Sequence, residues 1–543
     1  MSHNGVMTSP LDAAAIRSVT EIFATRFARG TAPSSAWGIF DRTGLLHSGT
    51  TGQQPNGAEV TAHTAYRIAS CTKSFTAAAI LALRDEGSLH LDQPITDFYP
   101  LFGEVALPSP DSPVPTLRML LTMSAGFPTD NPWGDRQESL TDDEFDAFIR
   151  EGITFDSVPG TAFEYSNLGY ALLGRVIAVV SGGCYRQFVA DRFLTPLGLT
   201  ETGFDEHTPA SGGIARGCWW EDTGWSTLSL SGPGAFSAIG GLFSTITDLA
   251  TWAAWLADAF DADNPAAVPS APEPKEPHAH DALLSRASRR ELQQLQRFAS
   301  ATPHTSGYGL GLFVEHYAGD AISSHSGGYP GYSAHMRWSQ KTGLGVVAYE
   351  NATFSNVAVG VTQALDLLLA GASTTTANQL PTKTAHSARP DVPVVVWPVT
   401  REIQSQITAL LHTVSTTTEA TTTAGSTDTR EATTTPGTTT STTTETEAKT
   451  TILDALTDTL FSENVALDNS FERRHQAWAR EISRIGGLID TPAPFARFEE
   501  SSHWPSHLVW HLPGAAGRLR VEIQLTPENR PRIQDLRVAA DKH

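Results

Sequence analysis

Cysteine is scarce: three residues in 543, at Cys71, Cys184 and Cys218. The number is odd, the spacing is wide and no C-x-x-C pair occurs. That excludes a disulfide-stapled framework and a cysteine-based metal or redox motif, and reads as reduced thiols in a reducing compartment. Cys71 reads as a small buried packing residue. Positive charge is also in short supply. Against 58 acidic residues stand 37 basic ones, for a net charge of −21, which argues against nucleic acid or an anionic membrane as a main partner. Lysine occurs only as Lys73, Lys275, Lys341, Lys383, Lys449 and Lys542; the arginine excess reads as compositional bias. Long hydrophobic runs are missing as well. Ala171 to Val180 is interrupted by Gly174 and Arg175, and no stretch approaches membrane-spanning length. The first ten residues have neither a basic n-region nor a continuous apolar core, so no signal peptide is expected. These absences point to a soluble, cytoplasmic protein.

What is present suffices for a sizeable core, with 40% hydrophobic residues, and the length suggests two or three domains. Ile16, Val19, Phe23 and Phe27 recur at helical spacing and predict an amphipathic helix over 11–27. Ala36–Phe40 and Leu45–His47 read as paired strands around Asp41-Arg-Thr-Gly44. Helices are expected at Leu117–Met123, Asp142–Arg150, Leu168–Val180, Tyr185–Leu194 and Thr245–Phe260. Asp261–His280 is expected to be a loop. Leu310–Val314, Ser333–Trp338 and Leu344–Tyr349 read as strands with Gly-rich turns between them, and Asn356–Leu369 as a closing helix. Strands at both ends with helices between predict one α/β/α unit over residues 1–372, able to fold alone.

Beyond Gly371 the composition changes. Residues 373–398 form a Thr/Pro-rich linker, and Val399–Val414 predicts a helix. Residues 415–450 are dominated by threonine and have too little apolar surface to offset chain entropy, so disorder is expected. Helices at Ile452–Phe461 and Phe471–Ile485 precede strands at Leu508–Leu512, Leu519–Leu525 and Ile533–Val538. Leu519, Val521, Ile523 and Leu525 alternate with polar residues, as a half-buried antiparallel strand requires. Residues 399–543 therefore read as a small α+β domain interrupted by the Thr-rich tract. In outline it resembles the NTF2/cystatin-like folds.

Three groups of residues carry chemistry. In Tyr66-Arg-Ile-Ala-Ser-Cys-Thr-Lys-Ser-Phe75, Ser70 and Lys73 have the spacing S-x-x-K ahead of an apolar run. Three residues apart near a helix start they share a face, so a lysine held neutral by burial can take the serine's proton. First-turn N–H groups are free to stabilise a developing oxyanion. An ordinary first-turn serine beside a solvated lysine has the same spacing. The second group is Glu164-Tyr-Ser-Asn167: a phenol near an ammonium can shuttle a proton, and an amide can orient the lysine or hold a carbonyl. Asn167 as a helix cap and Tyr165 as a packing residue is the alternative. The third is Ser324-His-Ser-Gly-Gly-Tyr-Pro-Gly-Tyr332, whose small residues would let a substrate backbone lie along a strand edge. Taken alone, His325 reads as a structural histidine in a glycine turn.

Taken in order, Ser-x-x-Lys, Tyr-x-Asn and His-Ser-Gly before late strands resemble the serine β-lactamase/penicillin-binding-protein superfamily, in its branch of class C β-lactamases, D-alanyl-D-alanine carboxypeptidases, D-aminopeptidases and esterases. The resemblance runs from about residue 10 to 372 and includes Leu120-Leu-Thr-Met-Ser-Ala-Gly-Phe and Gly240-Gly-Leu-Phe-Ser-Thr. It implies an α/β/α sandwich with an antiparallel sheet plus an all-helical region, and no cofactor or metal. It implies Ser70 as acylated nucleophile, Lys73 as base, Tyr165 as proton shuttle and Asn167 as orienting group. The N–H groups of Ser70 and Gly328 would form the oxyanion hole, and His325, Ser326 and Gly327 would border the substrate.

The third group departs from penicillin-recognising members, which carry lysine where this chain has His325. A neutral imidazole gives no fixed cation for a carboxylate, and an ordinary histidine would favour carboxylate-bearing substrates as pH falls toward 6. The expected activity is hydrolysis of an ester or of a small amide or D-amino-acid peptide. The alternatives are a β-lactamase or carboxypeptidase, and a non-catalytic binding protein that keeps the fold.

Overall fold

The computed structural model describes residues 11–221, 223–261, 280–300, 305–317, 319–353, 355–372, 394–424, 459–489 and 500–541. Packing divides the chain into two units. The first comprises Met1–Gly126, Gln137–Arg150 and Pro159–Ala388, the second Phe127–Arg136, Glu151–Val158 and Arg389–His543.

The first unit is built on an antiparallel sheet of β1 (Ser34–Asp41), β2 (Gly44–Gly52), β3 (Arg297–Ser300), β4 (Thr305–Tyr308), β5 (Phe313–Tyr317), β6 (Asp320–Tyr329), β7 (Tyr332–Ser339) and β8 (Gly345–Glu350). Their order is β2-β1-β8-β7-β6-β5-β4-β3, so the first hairpin joins the late strands through β1 and β8. Register explains how one face is buried. Trp37 pairs with Ala348 and Ile39 with Val346, and all four pack with Val19, Phe23, Val361 and Leu365. Those last residues belong to α1 (Ala13–Ala28) and to the closing helix Ala358–Ala372. Phe27 lies outside this core and is exposed, because α1 ends at the next residue and its last turn faces solvent.

Four further helices matter: α2 (Lys73–Asp85), α3 (Asn167–Ser181), α4 (Ser237–Gly240) and α5 (Ile246–Asp258), which makes the closing helix α6. Thr245 caps α5 by accepting from Asp248 N at 3.2 Å, and the adjacent Thr245 carbonyl accepts from Tyr349 of β8 at 3.0 Å. α2 is buried from Lys73 to Leu83, as its unbroken apolar run predicts.

Two expectations need correction, and two strands are new. The segment Asp320–Tyr329 is a strand, not a glycine turn, because β7 pairs along its length from Ile322 to Tyr329; that pairing overrides the weak strand propensity of Ser and Gly. The strand expected at Leu310–Val314 begins at Phe313, after Gly311 turns the chain. β3 and β4 were not foreseen.

In the second unit α7 (Pro398–Ala424) and α8 (Phe471–Arg484) accompany a meander of β9 (His507–Gly514), β10 (Gly517–Leu525) and β11 (Ile533–Asp541). Ile403, Ile407 and Leu411 meet Trp478, Ile482, Trp510, Val521 and Ile523 in one core. The alternation read in β10 is the one observed. α7 runs to Ala424, past the expected start of disorder at 415. Ser415 is buried there and accepts from Leu488 N at 3.2 Å. The rest of that tract, the linker up to residue 393, residues 262–279 of the expected loop and most of the helix expected at 452–461 lie outside the described residues.

Two segments of early sequence belong to this second unit. Gln534 Nε2 donates to Thr129 O at 2.7 Å and its Oε1 accepts from Trp133 N at 3.3 Å. Asp156 accepts from Ser506 N at 2.8 Å, Thr154 N donates to Pro527 O at 2.9 Å, and Phe127 packs on Phe155 with centroids 5.2 Å apart. Composition places one boundary near 372; these contacts add four earlier crossings of the chain between the units.

Candidate active site

Ser70 sits in a 3₁₀ turn, Ala69–Thr72, that runs into α2. The residue before it, Ala69, has φ +46°, a left-handed conformation that a side-chain-bearing residue adopts only when its neighbours enforce it. The neighbours are visible. Tyr66 and Arg67 pair with Ser244 and Phe243, Ile68 N donates to Leu242 O at 2.9 Å, and the Cys71 thiol donates to His325 O at 3.3 Å. β6 lies so close that a Cβ on Gly327 would fall 2.2 Å from Ile68 O; only glycine lets the strand reach the turn.

Lys73 is fully buried. Its Nζ is 3.0 Å from Ser70 Oγ, 2.6 Å from Asn167 Oδ1 and 2.9 Å from Ile239 O. Asn167 Oδ1 and the Ile239 carbonyl can only accept, whereas a hydroxyl can donate or accept. An ammonium satisfies all three oxygens. In the neutral form, N–H groups given to the two carbonyls leave the lone pair on the Ser70 side. That arrangement would aim the basic form of Lys73 at the hydroxyl. The helix cap of α3 is Ser166, which accepts from Gly169 N, so Asn167 serves the lysine rather than the cap.

Tyr165 is half-buried, with its ring centroid 5.2 Å from Lys73 Nζ. It stacks on Phe313 at 6.3 Å and meets Tyr308 edge-on at 6.4 Å. The three groups separated in sequence therefore meet around Lys73.

β5 pairs with β6 only as far as Ser324 opposite Phe313, so from His325 onward that side of β6 has no strand partner among the described residues. In an antiparallel ladder alternate residues turn their backbone groups outward. With Tyr329 and Tyr332 closing the hairpin, this parity puts Ser326 and Gly328 in the outward set. Both are exposed, and nothing lies within 4 Å of the point where a Gly328 Cβ would sit.

His325 does not point into solvent. It is buried, its Nδ1 is 2.6 Å from Ser326 O and its Nε2 is 3.1 Å from Tyr308 Oη. The carbonyl can only accept, so Nδ1 carries the proton and Tyr308 donates to Nε2. Burial, reinforced by the Lys73 charge, depresses the imidazole to about 3. The expected titration near pH 6 is overturned: desolvation of the cation outweighs the hydrogen bond to Ser326. Sequence reasoning missed Tyr308 and the Ile239 carbonyl; a lone tyrosine and a backbone oxygen leave no motif.

A family model described as Beta-lactamase matches residues 19–371. The chain belongs to the beta-lactamase family. Among relatives, the protein flp of Staphylococcus aureus is 34% identical over 146 residues, 26% of this chain and 28% of that protein. The match spans less than a third of that relative's length. Of solved structures, the octameric penicillin-binding protein homologue from Pyrococcus abyssi superposes with TM-score 0.53 at 25% identity, covering 65% of this chain and 77% of that one. The D-amino acid amidase from Ochrobactrum anthropi SV3, complexed with D-phenylalanine, gives 0.52 at 24% identity, covering 66% of this chain and 98% of the amidase. The mixed α/β architecture with its large antiparallel sheet is the beta-lactamase/transpeptidase fold. Among the described residues, no single helix is long and apolar enough to cross a membrane.

Proposed function

We propose that this family member is a serine hydrolase that forms an acyl-enzyme on Ser70 from an ester or a small amide or D-amino-acid peptide. The observation that carries this reading is the buried Lys73 amine, 3.0 Å from Ser70 Oγ and also within hydrogen-bond distance of two carbonyl oxygens. In the proposed reaction Lys73 takes the Ser70 proton as Oγ attacks the substrate carbonyl. The N–H groups of Ser70 and Gly328 receive the oxyanion, the second from the open edge of β6. Tyr165 passes a proton to the leaving group, and water then releases the acyl group from Ser70. The substrate lies along Ser326 and Gly327.

The neutral, doubly bonded His325 supports esters and amides without a carboxylate over penicillins. A charge-assisted contact to a carboxylate is worth about 1.5–3 kcal/mol, and His325 cannot supply it. The test is one panel of p-nitrophenyl esters, D-amino-acid p-nitroanilides and a chromogenic cephalosporin, together with a fluorophosphonate probe. Labelling of Ser70 and turnover of the first two classes well above the third is expected. Preferred turnover of the cephalosporin would instead make the protein a β-lactamase, and no label on Ser70 would leave only a binding role.

A further inference from the structure

Glu138 is fully buried in a turn distant in sequence from all three motifs, and its carboxylate joins two parts of the site. One oxygen, Oε1, lies 3.8 Å from the guanidinium of Arg67, three positions before Ser70. The same oxygen accepts from Ser237 Oγ at 2.8 Å. Ser237 opens α4, and its hydroxyl also accepts from Gly234 N at 3.1 Å. Two residues on, the Ile239 carbonyl accepts from Lys73 Nζ at 2.9 Å. Arg67 is held in turn between aromatic faces, 4.0 Å from the Tyr329 ring and 4.9 Å from the Phe243 ring. Burial raises the Glu138 carboxyl above the usual range; opposing this are Arg67 beside the nucleophile turn, the Ser237 hydrogen bond, Arg186 on the helix Tyr185–Val189, where Tyr185 also faces it, and Lys73 on α2.

We propose that Glu138 is a positioning residue for Lys73: through Ser237 it fixes the Ile239 carbonyl on the amine, and its charge balances the buried cations Arg67 and Lys73. The proposal rests on the Ser70 acyl-enzyme reading. A carboxylate in this place serves two ends that separate experimentally. The hydrogen bond to Ser237 sets where the Ile239 oxygen stands, and so how the lone pair of Lys73 is aimed. The negative charge favours the ammonium form of Lys73 and so sets the pH above which the base is available.

The experiment is the rate of fluorophosphonate labelling of the full chain between pH 5 and 9, read by intact mass, for the wild type, Glu138→Gln and Ser237→Ala. Glu138→Gln keeps an acceptor for Ser237 but removes the charge. The midpoint of its acid limb is expected to move down by about half a pH unit or more. Ser237→Ala keeps the charge but loosens α4, so its plateau rate is expected to fall about fivefold with the midpoint unmoved. A purely structural role for Glu138 would lower the unfolding temperature without displacing the midpoint. Label on Ser70 with an unmoved Glu138→Gln midpoint, or a wild-type plateau in Ser237→Ala, overturns the proposal alone. No label on Ser70 in the wild type overturns the acyl-enzyme reading and this proposal with it. Should Glu138→Gln fail to fold, the Ser237→Ala plateau still decides.

Discussion

Asn167 Oδ1 lies 2.6 Å from Lys73 Nζ across 94 residues of sequence. This oxygen and the Ile239 carbonyl both accept from Lys73 Nζ, which also lies 3.0 Å from Ser70 Oγ. Asn167→Ala should therefore lower the labelling rate of Ser70 about 10- to 100-fold with little change in unfolding temperature. Asn167→Asp adds a negative charge beside the amine and should move the acid limb of the labelling rate to higher pH. Unchanged rates in both variants would separate Asn167 from the chemistry.

Ser70→Ala should abolish label and turnover while the protein stays folded, since it removes one hydroxyl and no core packing. Lys73→Ala should cost roughly 10²–10⁴ in rate, the usual worth of a positioned general base. Intact mass after probe treatment reads the first, and steady-state ester hydrolysis the second.

His325 makes a prediction about stability with a definite sign. Its folded value of about 3 lies below its ordinary 6.5, so the unfolded chain binds the extra proton between these limits. Its contribution to stability is full above about pH 6.5 and is lost as pH falls toward 3. His335, also depressed by burial, acts in the same direction. Chemical denaturation should show stability falling from pH 7 to 4.5, less steeply in His325→Asn. An equal slope in the variant would mean that His325 is protonated in the fold. Activity between pH 6 and 8 should carry no His325 titration.

Gly327→Ala puts a Cβ 2.2 Å from the Ile68 carbonyl, and backbone on both sides must shift to admit it. Overpacking of this kind costs about 1–3 kcal/mol, and here the shift falls on the turn that carries Ser70. A lower unfolding temperature and a large loss of labelling are expected together; a stable, fully active variant would show that β6 can retreat from the nucleophile.

A chain ending at Ala372 was expected from composition to fold alone. The contacts of Phe127–Arg136 and Glu151–Val158 with the C-terminal residues change that expectation. Truncation strips Asp156 of Ser506, and Trp133 and Thr129 of Gln534. Phe127, Trp133 and Ile153, buried in the whole chain, lose cover as well. The truncated chain should be markedly less soluble or less heat-stable than the whole. Equal stability would mean that both segments repack without the second unit.

Several features of this protein were legible locally. The S-x-x-K spacing places Lys73 beside Ser70 because residues three apart share a helical face, and the alternation in β10 marks its buried side because a strand repeats every two residues. The apolar run after Lys73 announces a buried helix in the same way. Other features depended on contacts between residues far apart in sequence. Asp320–Tyr329 is a strand because β7 lies beside it, and no propensity of Ser or Gly says so. His325 is an ordinary histidine in sequence; only burial against Tyr308 and beside Lys73 fixes it neutral. Glu138, Ile239 and the early segments of the second unit acquire their places in the same manner. Periodicity and spacing record what a chain does with its near neighbours, whereas desolvation and long-range hydrogen bonds exist only once distant segments have packed.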